Sequence, residues 1–141
     1  KCMAQYQARL SGPLLDRFDL TIEMPAVTPA DLILPPPAEG SAEVAARVAL
    51  ARSRQAERYA ALDQPFRTNA ASSAAMIERV ARPDEAGARL LREASEKFRL
   101  TARGFHRVMK VARTIADLDG TQDVSRLHLA EALAFRARLA I

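Results

Sequence analysis

The stretch LTARGFHRVMKVARTIADLDG, residues 100–120, carries the clearest structural signal in the chain. Its apolar residues recur at i, i+3, i+4, i+7, i+10 and i+11, and they are Phe105, Val108, Met109, Ala112, Ile115 and Ala116. This spacing returns to one side of a helix with 3.6 residues per turn, so it predicts an amphipathic helix. We expect Thr101 to cap the N-terminus of this helix and Gly120 to end it as a C-cap glycine.

The rest of residues 41–141 carries further helix signals. Capping residues precede four more apolar runs, and they are Ser41, Ser72 or Ser73, the triplet Pro83-Asp84-Glu85, and Asp123 or Ser125. Side-chain oxygens at these places accept the free backbone N–H groups of a first helical turn. The sequence therefore predicts an antiparallel bundle of four or five helices with short loops over residues 41–141.

The front of the chain has a different pattern. Residues 20–24 alternate apolar and polar side chains, which predicts one strand. Residues 25–40 hold five of the eight prolines and indicate a connector, with at most a short helical turn at Thr28–Leu32. We thus predict a mainly α fold in three parts: a strand-bearing edge (1–24), a connector (25–40) and a helical domain (41–141).

Composition limits the classes of protein that remain. Of the 141 residues, 49% are hydrophobic and 27% are charged, which is typical of a globular protein. No apolar run approaches the ~20 residues that a bilayer requires, so we expect no membrane partner. The net charge is +4, and it divides into −2 for residues 1–40 and +6 for residues 41–141.

The first and second residues add two expectations. Residue 1 is Lys and no basic-then-apolar leader follows it, so we expect a fragment of a longer protein without a secretory signal. Cys2 is the single cysteine, which excludes an internal disulfide and fits a reducing cytoplasm.

The sequence holds no complete enzyme site. The five glycines form neither a GxxxxGK[ST] phosphate loop nor a GxGxxG motif. His106 and His128 stand on separate predicted helices, with no Cys or carboxylate at metal-ligand spacing. We therefore expect no metal site and interpret both histidines as partly exposed helix residues.

Arg17 lies between Asp16 and Asp19, after the Gly12-Pro13 break and before the predicted strand. A guanidinium held at the rim of a sheet could reach a phosphate on a neighbouring subunit. The alternative is a surface arginine paired with one of the two aspartates, which contributes ~0–1 kcal/mol and has no catalytic role. Spacing alone favours this alternative.

Residues 97–113 contain six cations and no acid. Arg103, Arg107 and Lys110 stand at i, i+4 and i+7, on a face apart from the apolar stripe, and Arg113 follows them. Like charges at these spacings repel one another, so the pattern suggests a polyanion partner, either a nucleoside triphosphate or a nucleic acid. A solvated face in an arginine-rich chain explains it equally well.

Several blocks resemble one family, the magnesium-chelatase-like AAA+ ATPases of the ComM type. They are RLSGPLLDRFDL (9–20), EMPAV (23–27), GSAEV (40–44), RTNA (67–70), residues 100–118 and HLAEAL (128–133). The resemblance extends over nearly the whole chain and is to the C-terminal part of such proteins. It implies a helical AAA+ lid preceded by the edge of the ATPase core.

The resemblance also implies roles for single residues. Arg17 would be the arginine finger, which reaches the γ-phosphate of ATP on the adjacent protomer, and Arg103 would be the sensor-2 arginine of the lid. Arg107, Lys110 and Arg113 remain candidates for a polyanion-binding face.

For the full-length protein, the resemblance implies ATP and Mg²⁺ as cofactors. It also implies a homo-oligomeric ring, for which we expect six subunits. The phosphate loop and the Walker B acid are missing here, so this chain should hold neither cofactor and be inactive alone. The implied activity is a DNA-remodelling motor of the branch-migration type. Two alternatives stay open: a magnesium chelatase motor subunit, and a non-catalytic helical module that binds nucleic acid.

Overall fold

The computed structural model describes residues 14, 17–35 and 38–137, and these residues form helices and no strand. The helices are α1 (Ser41–Ala61), α2 (Ala74–Val80), α3 (Glu85–Lys97), α4 (Ala102–Leu118) and α5 (Arg126–Ala137). The predicted mainly α fold class is confirmed. The division at residues 24 and 40 stays a prediction.

Helix α4 is the centre of the bundle. It packs against α1, α2 and α5, while α3 packs against α5. Five of its six stripe residues are buried, and Phe105 lies partly buried at the margin of the core. The neighbouring helices add further buried residues, among them Ile77, Leu91, Leu129 and Leu133. Burial of this stripe fixes which face of α4 remains available for a ligand.

Side chains cap three helices at the predicted places. The side chains of Ser73, Asp84 and Thr101 each accept the backbone N–H of the residue three positions later, at 3.2, 2.6 and 3.0 Å. Gly120 ends α4 with a φ of +76°, a conformation that glycine adopts without steric cost.

The start of α1 differs from the prediction by one residue. Gly40 occupies the cap position, and its N–H donates to the Glu43 carboxylate at 3.0 Å. Ser41 is thus the first helical residue. In the connector, a 3-10 turn at Asp31–Ile33 is held by hydrogen bonds between Thr28 and Asp31, close to the predicted short turn.

The predicted strand at residues 20–24 is not formed. Leu20, Ile22 and Met24 are exposed to 49%, 64% and 83%, and no neighbouring strand pairs with this segment in the described part of the chain. A strand needs a partner for its backbone groups. Here the Thr21 N–H donates instead to the Phe135 carbonyl of α5, at 3.1 Å.

The lengths and compositions of the helices can be compared with what a membrane span requires. None of the described helices is long and apolar enough to pass through a bilayer.

Candidate anion-binding site

The N-terminal half of α4 presents three cations to one cavity. Arg103, Arg107 and Lys110 line a space of about 450 Å³. The remaining lining residues are Asp19, Ala70, Ala74 and His106. The spacing of i, i+4 and i+7 therefore does place the three cations together, on the side of α4 away from the core. We call these three residues the cationic face.

Arg103 lies in the first turn of α4, where the Thr101 cap fixes the backbone. Its side chain is exposed, and it has no hydrogen bond or ion pair with any residue in the described ranges. The guanidinium offers five N–H donors in a planar fork. Arg103 is thus the member of the cationic face whose donors are all available to a ligand.

Arg107 uses only part of its hydrogen-bonding capacity. Its guanidinium pairs with the carboxylate of Asp19, which comes from the segment before the connector. Its Nε atom is buried and has no hydrogen-bond partner. A buried donor without an acceptor carries a desolvation cost that the described residues do not offset.

Lys110 forms hydrogen bonds with the loop between α1 and α2. Its Nζ atom donates to the carbonyl oxygens of Ala70 at 2.8 Å and Ser72 at 2.7 Å. Burial lowers the pKa of Lys110, the nearby carboxylate of Asp19 opposes this shift, and the charge of Arg107 adds to it. The two carbonyls orient the ammonium group without neutralising its charge.

The two histidines have different surroundings. His106 is half-buried, and its Nε2 atom lies 2.7 Å from a carboxylate oxygen of Glu78 on α2. His128 is buried, which corrects the expectation of partial exposure: its Nδ1 atom accepts the Ser125 N–H at 3.0 Å at the start of α5. No group of three or more His, Cys, Asp or Glu residues suited to a metal ion occurs in the ranges that the structure describes.

Arg113 does not belong to the cationic face. It is 1% exposed, and its Nε donates to Asp117 at 3.2 Å while its Nη atoms donate to the carbonyls of Thr121 and Gln122. It stands four residues after Met109 and three before Ala116, so it lies on the buried stripe. Burial lowers its pKa, and the charge of Asp117 opposes that shift.

A buried polar network shapes the loop beside the cavity, and its centre is Asn69. The Asn69 Nδ2 atom donates to Thr114 at 3.0 Å and to Asp117 at 2.8 Å, and Tyr59 donates to the Asn69 Oδ1 atom at 2.9 Å. Arg58 also pairs with Asp117. This network was not anticipated. It holds the loop so that the adjacent Ala70 lines the cavity.

Arg17 lies in an exposed turn, where its N–H donates to the Leu14 carbonyl at 2.9 Å. The following segment runs against the helical domain. Asp19 pairs with Arg107, and Arg136 reaches the carbonyl of Phe18 at 3.5 Å. Asp16, the other flanking acid, lies outside the described residues. The segment that carries Arg17 is thus attached to the helix that carries Arg103.

Comparison with known families decides the relationship. The family profile "Magnesium chelatase, subunit ChlI C-terminal" matches residues 38–136, which include all five helices up to Arg136. This chain belongs to the magnesium chelatase ChlI family. A second profile, "Magnesium chelatase, subunit ChlI", matches residues 1–32, the part that holds Arg17 and Asp19.

Curated relatives agree with this assignment. The chain is 42% identical to the competence protein ComM of Haemophilus influenzae and 40% identical to the uncharacterized protein YifB of Escherichia coli, over 134 residues in each case. Both alignments cover 94% of this chain and 25% of the relative. The chain therefore spans about a quarter of the length of these relatives, and the predicted resemblance to the ComM-type branch is confirmed.

Proposed function

We propose that this chain is the lid and arginine-finger region of a ring-forming AAA+ ATPase, and that the cationic face contacts the phosphates of ATP. The observation that carries the proposal is Arg103, exposed and unpaired within the described residues, in one cavity with Arg107 and Lys110. Guanidinium groups bind phosphate oxygens through charge-assisted hydrogen bonds, and an ammonium group adds a compact positive charge.

The donor set fits a triphosphate chain rather than a metal ion. Among the described residues, three cations and only one carboxylate, that of Asp19, line the cavity. ATP supplies the phosphoryl group that is transferred, and Mg²⁺ would be held by another part of the full-length protein. In this chain, Arg103 would act as the sensor that links the state of the nucleotide to the position of the lid.

Arg17 would act on a neighbouring protomer. It is exposed, and the connector lies between it and the helical domain in the sequence. An arginine delivered from an adjacent subunit stabilises the charge that develops on the transferred phosphoryl group. This role requires a homo-oligomer, for which a hexameric ring is our proposal. The reducing environment suggested by the single cysteine makes the cytoplasm the proposed compartment.

For the activity of the full-length protein, we propose that the ATPase is a DNA-remodelling motor. This proposal is supported by the 42% identity to a protein named competence protein ComM and by the net charge of +6 on residues 41–141. The family name favours a magnesium chelatase motor as the second candidate. Stimulation of ATP turnover by DNA in the full-length protein would separate the two, because a chelatase motor has no need of DNA.

Arg103→Ala in the full-length protein tests the nucleotide role. We expect ATP turnover to fall by about 10- to 100-fold, since one charge-assisted hydrogen bond to the phosphates is lost. Arg92→Ala, at an exposed position of α3 outside the cavity, is the matched control and should retain full turnover. Equal turnover of the two variants would contradict the proposal.

A further inference from the structure

The carboxylate of Asp19 lies where an anionic ligand of the cationic face would bind. It lines the same cavity as Arg103, His106 and Lys110, and it pairs with Arg107. Its side chain is 51% exposed. Ion pairs with this much solvent contact are weak, so another anion can replace this carboxylate.

The charges around the cavity are not balanced by Asp19 alone. Among the described residues that line the cavity, three are cations and one, Asp19, is a carboxylate, so two positive charges remain within this set. Glu78 lies on α2 and contacts His106, and the oxygens that contact Lys110 are neutral carbonyls. A ligand with several negative oxygens would satisfy groups that a single carboxylate cannot.

We propose that Asp19 is an internal occupant of this anion site and that a triphosphate chain displaces it. The inference rests on the proposed function and adds regulation to the same site. Asp19 lies two residues after Arg17, and the hydrogen bond from Thr21 to Phe135 anchors the same segment to α5. When Asp19 is displaced, the segment that carries Arg17 loses its ion pair with α4. Binding of the triphosphate chain to the cationic face therefore increases the mobility of Arg17, the proposed arginine finger.

Asp19→Asn in this 141-residue chain tests the inference, with tripolyphosphate as the probe in isothermal titration calorimetry. Loss of the competing charge should tighten binding by about two- to five-fold, the range expected for one exposed ion pair. Asp63→Asn is the matched control. It makes the same charge change at an exposed position with a φ of 52°, which asparagine tolerates well, and it lies outside the cavity.

A second measurement follows the segment itself. Saturation with tripolyphosphate should speed hydrogen exchange at the Thr21 amide while the amides of Val108 and Ala112 keep their protection. Three results would overturn the inference: no tightening in Asp19→Asn, equal tightening in Asp63→Asn, or an unchanged Thr21 amide. Tightening for a single-stranded oligonucleotide but not for tripolyphosphate would overturn it as well.

Failure here is distinguishable from failure of the proposed function. The ATPase role is measured by turnover of Arg103→Ala in the full-length protein, whereas the displacement is measured by binding to this chain without catalysis. If Arg103→Ala lowers ATP turnover as expected but Asp19→Asn does not change tripolyphosphate binding, the proposed ATPase role stands and the displacement of Asp19 is rejected.

Discussion

Among single side chains, Asp117 has the most demanding environment in the bundle. It is fully buried on α4 between the guanidinium groups of Arg58 and Arg113, and it also accepts a hydrogen bond from Asn69. Each partner depends on this carboxylate for charge compensation, because water has little access to the site.

Asp117→Ala should therefore be strongly destabilising. We expect a loss of about 3 to 5 kcal/mol in the free energy of unfolding, because the substitution leaves buried positive charge uncompensated. Urea denaturation followed by circular dichroism measures it. Glu93→Ala, at an exposed position of α3, is the control and should change stability by less than about 0.5 kcal/mol. Similar losses in both variants would contradict the role given to Asp117.

The positions of the charged side chains were predictable only in part. Spacing correctly grouped Arg103, Arg107 and Lys110, because residues three and four apart share a helix face. The same rule puts Arg113 on the buried face of the helix with Met109 and Ala116. Its charge instead suggests a surface position, and that expectation is wrong. The sequence feature that could have indicated a buried ion pair is Asp117, an acid four residues after Arg113. The contact between Asp19 and Arg107 joins residues 88 positions apart, and no local pattern indicates it.

At the scale of helices, two glycines mark close approaches. A Cβ atom at Gly87 on α3 would lie 2.9 Å from a methyl group of Leu129 and 3.1 Å from Pro83 Cβ. The three atoms nearest to a Cβ atom at Gly104 on α4 would all belong to the guanidinium group of Arg136, the closest at 2.7 Å. Leu129 is buried in the core and the ring of Pro83 is rigid, whereas the guanidinium group of Arg136 is the end of a long side chain that can move.

Gly87→Ala and Gly104→Ala should accordingly differ. Gly87→Ala should destabilise the fold by about 1 to 2 kcal/mol, since overpacking outweighs the gain in helix propensity. Gly104→Ala should leave stability unchanged or raise it by up to about 1 kcal/mol. Chemical denaturation of both variants measures the difference. A smaller loss for Gly87→Ala than for Gly104→Ala would show that the packing of α3 on α5 is not as described.

Helices were more predictable than the strand for a physical reason. A helix satisfies its backbone within itself, and its ends depend on local residues such as Ser73, Asp84 and Thr101. The alternation over residues 20–24 describes side chains that alternate between two faces, but a strand also needs a neighbour that supplies hydrogen bonds. The described part of this chain offers none, so the pattern alone could not give the structure.

At the scale of the whole molecule, polar contacts between described residues join the front segment to the helical domain. Asp19 pairs with Arg107, the Thr21 N–H donates to Phe135, and Arg136 reaches Phe18. Both regions match parts of the same family, and the two proposed nucleotide-contacting arginines, Arg17 and Arg103, lie one in each. Under the proposed function, both arginines act on ATP within an assembled ring.

The most direct test is ATP turnover by mixed subunits of the full-length protein. Arg17→Ala alone should lower turnover by roughly 10³-fold, the scale of an arginine finger. Mixing it with a variant whose phosphate-loop lysine is replaced by alanine should restore part of the activity, because each variant supplies the group that the other lacks across a subunit boundary. Full turnover by Arg17→Ala alone, or no recovery on mixing, would contradict a finger that acts in trans.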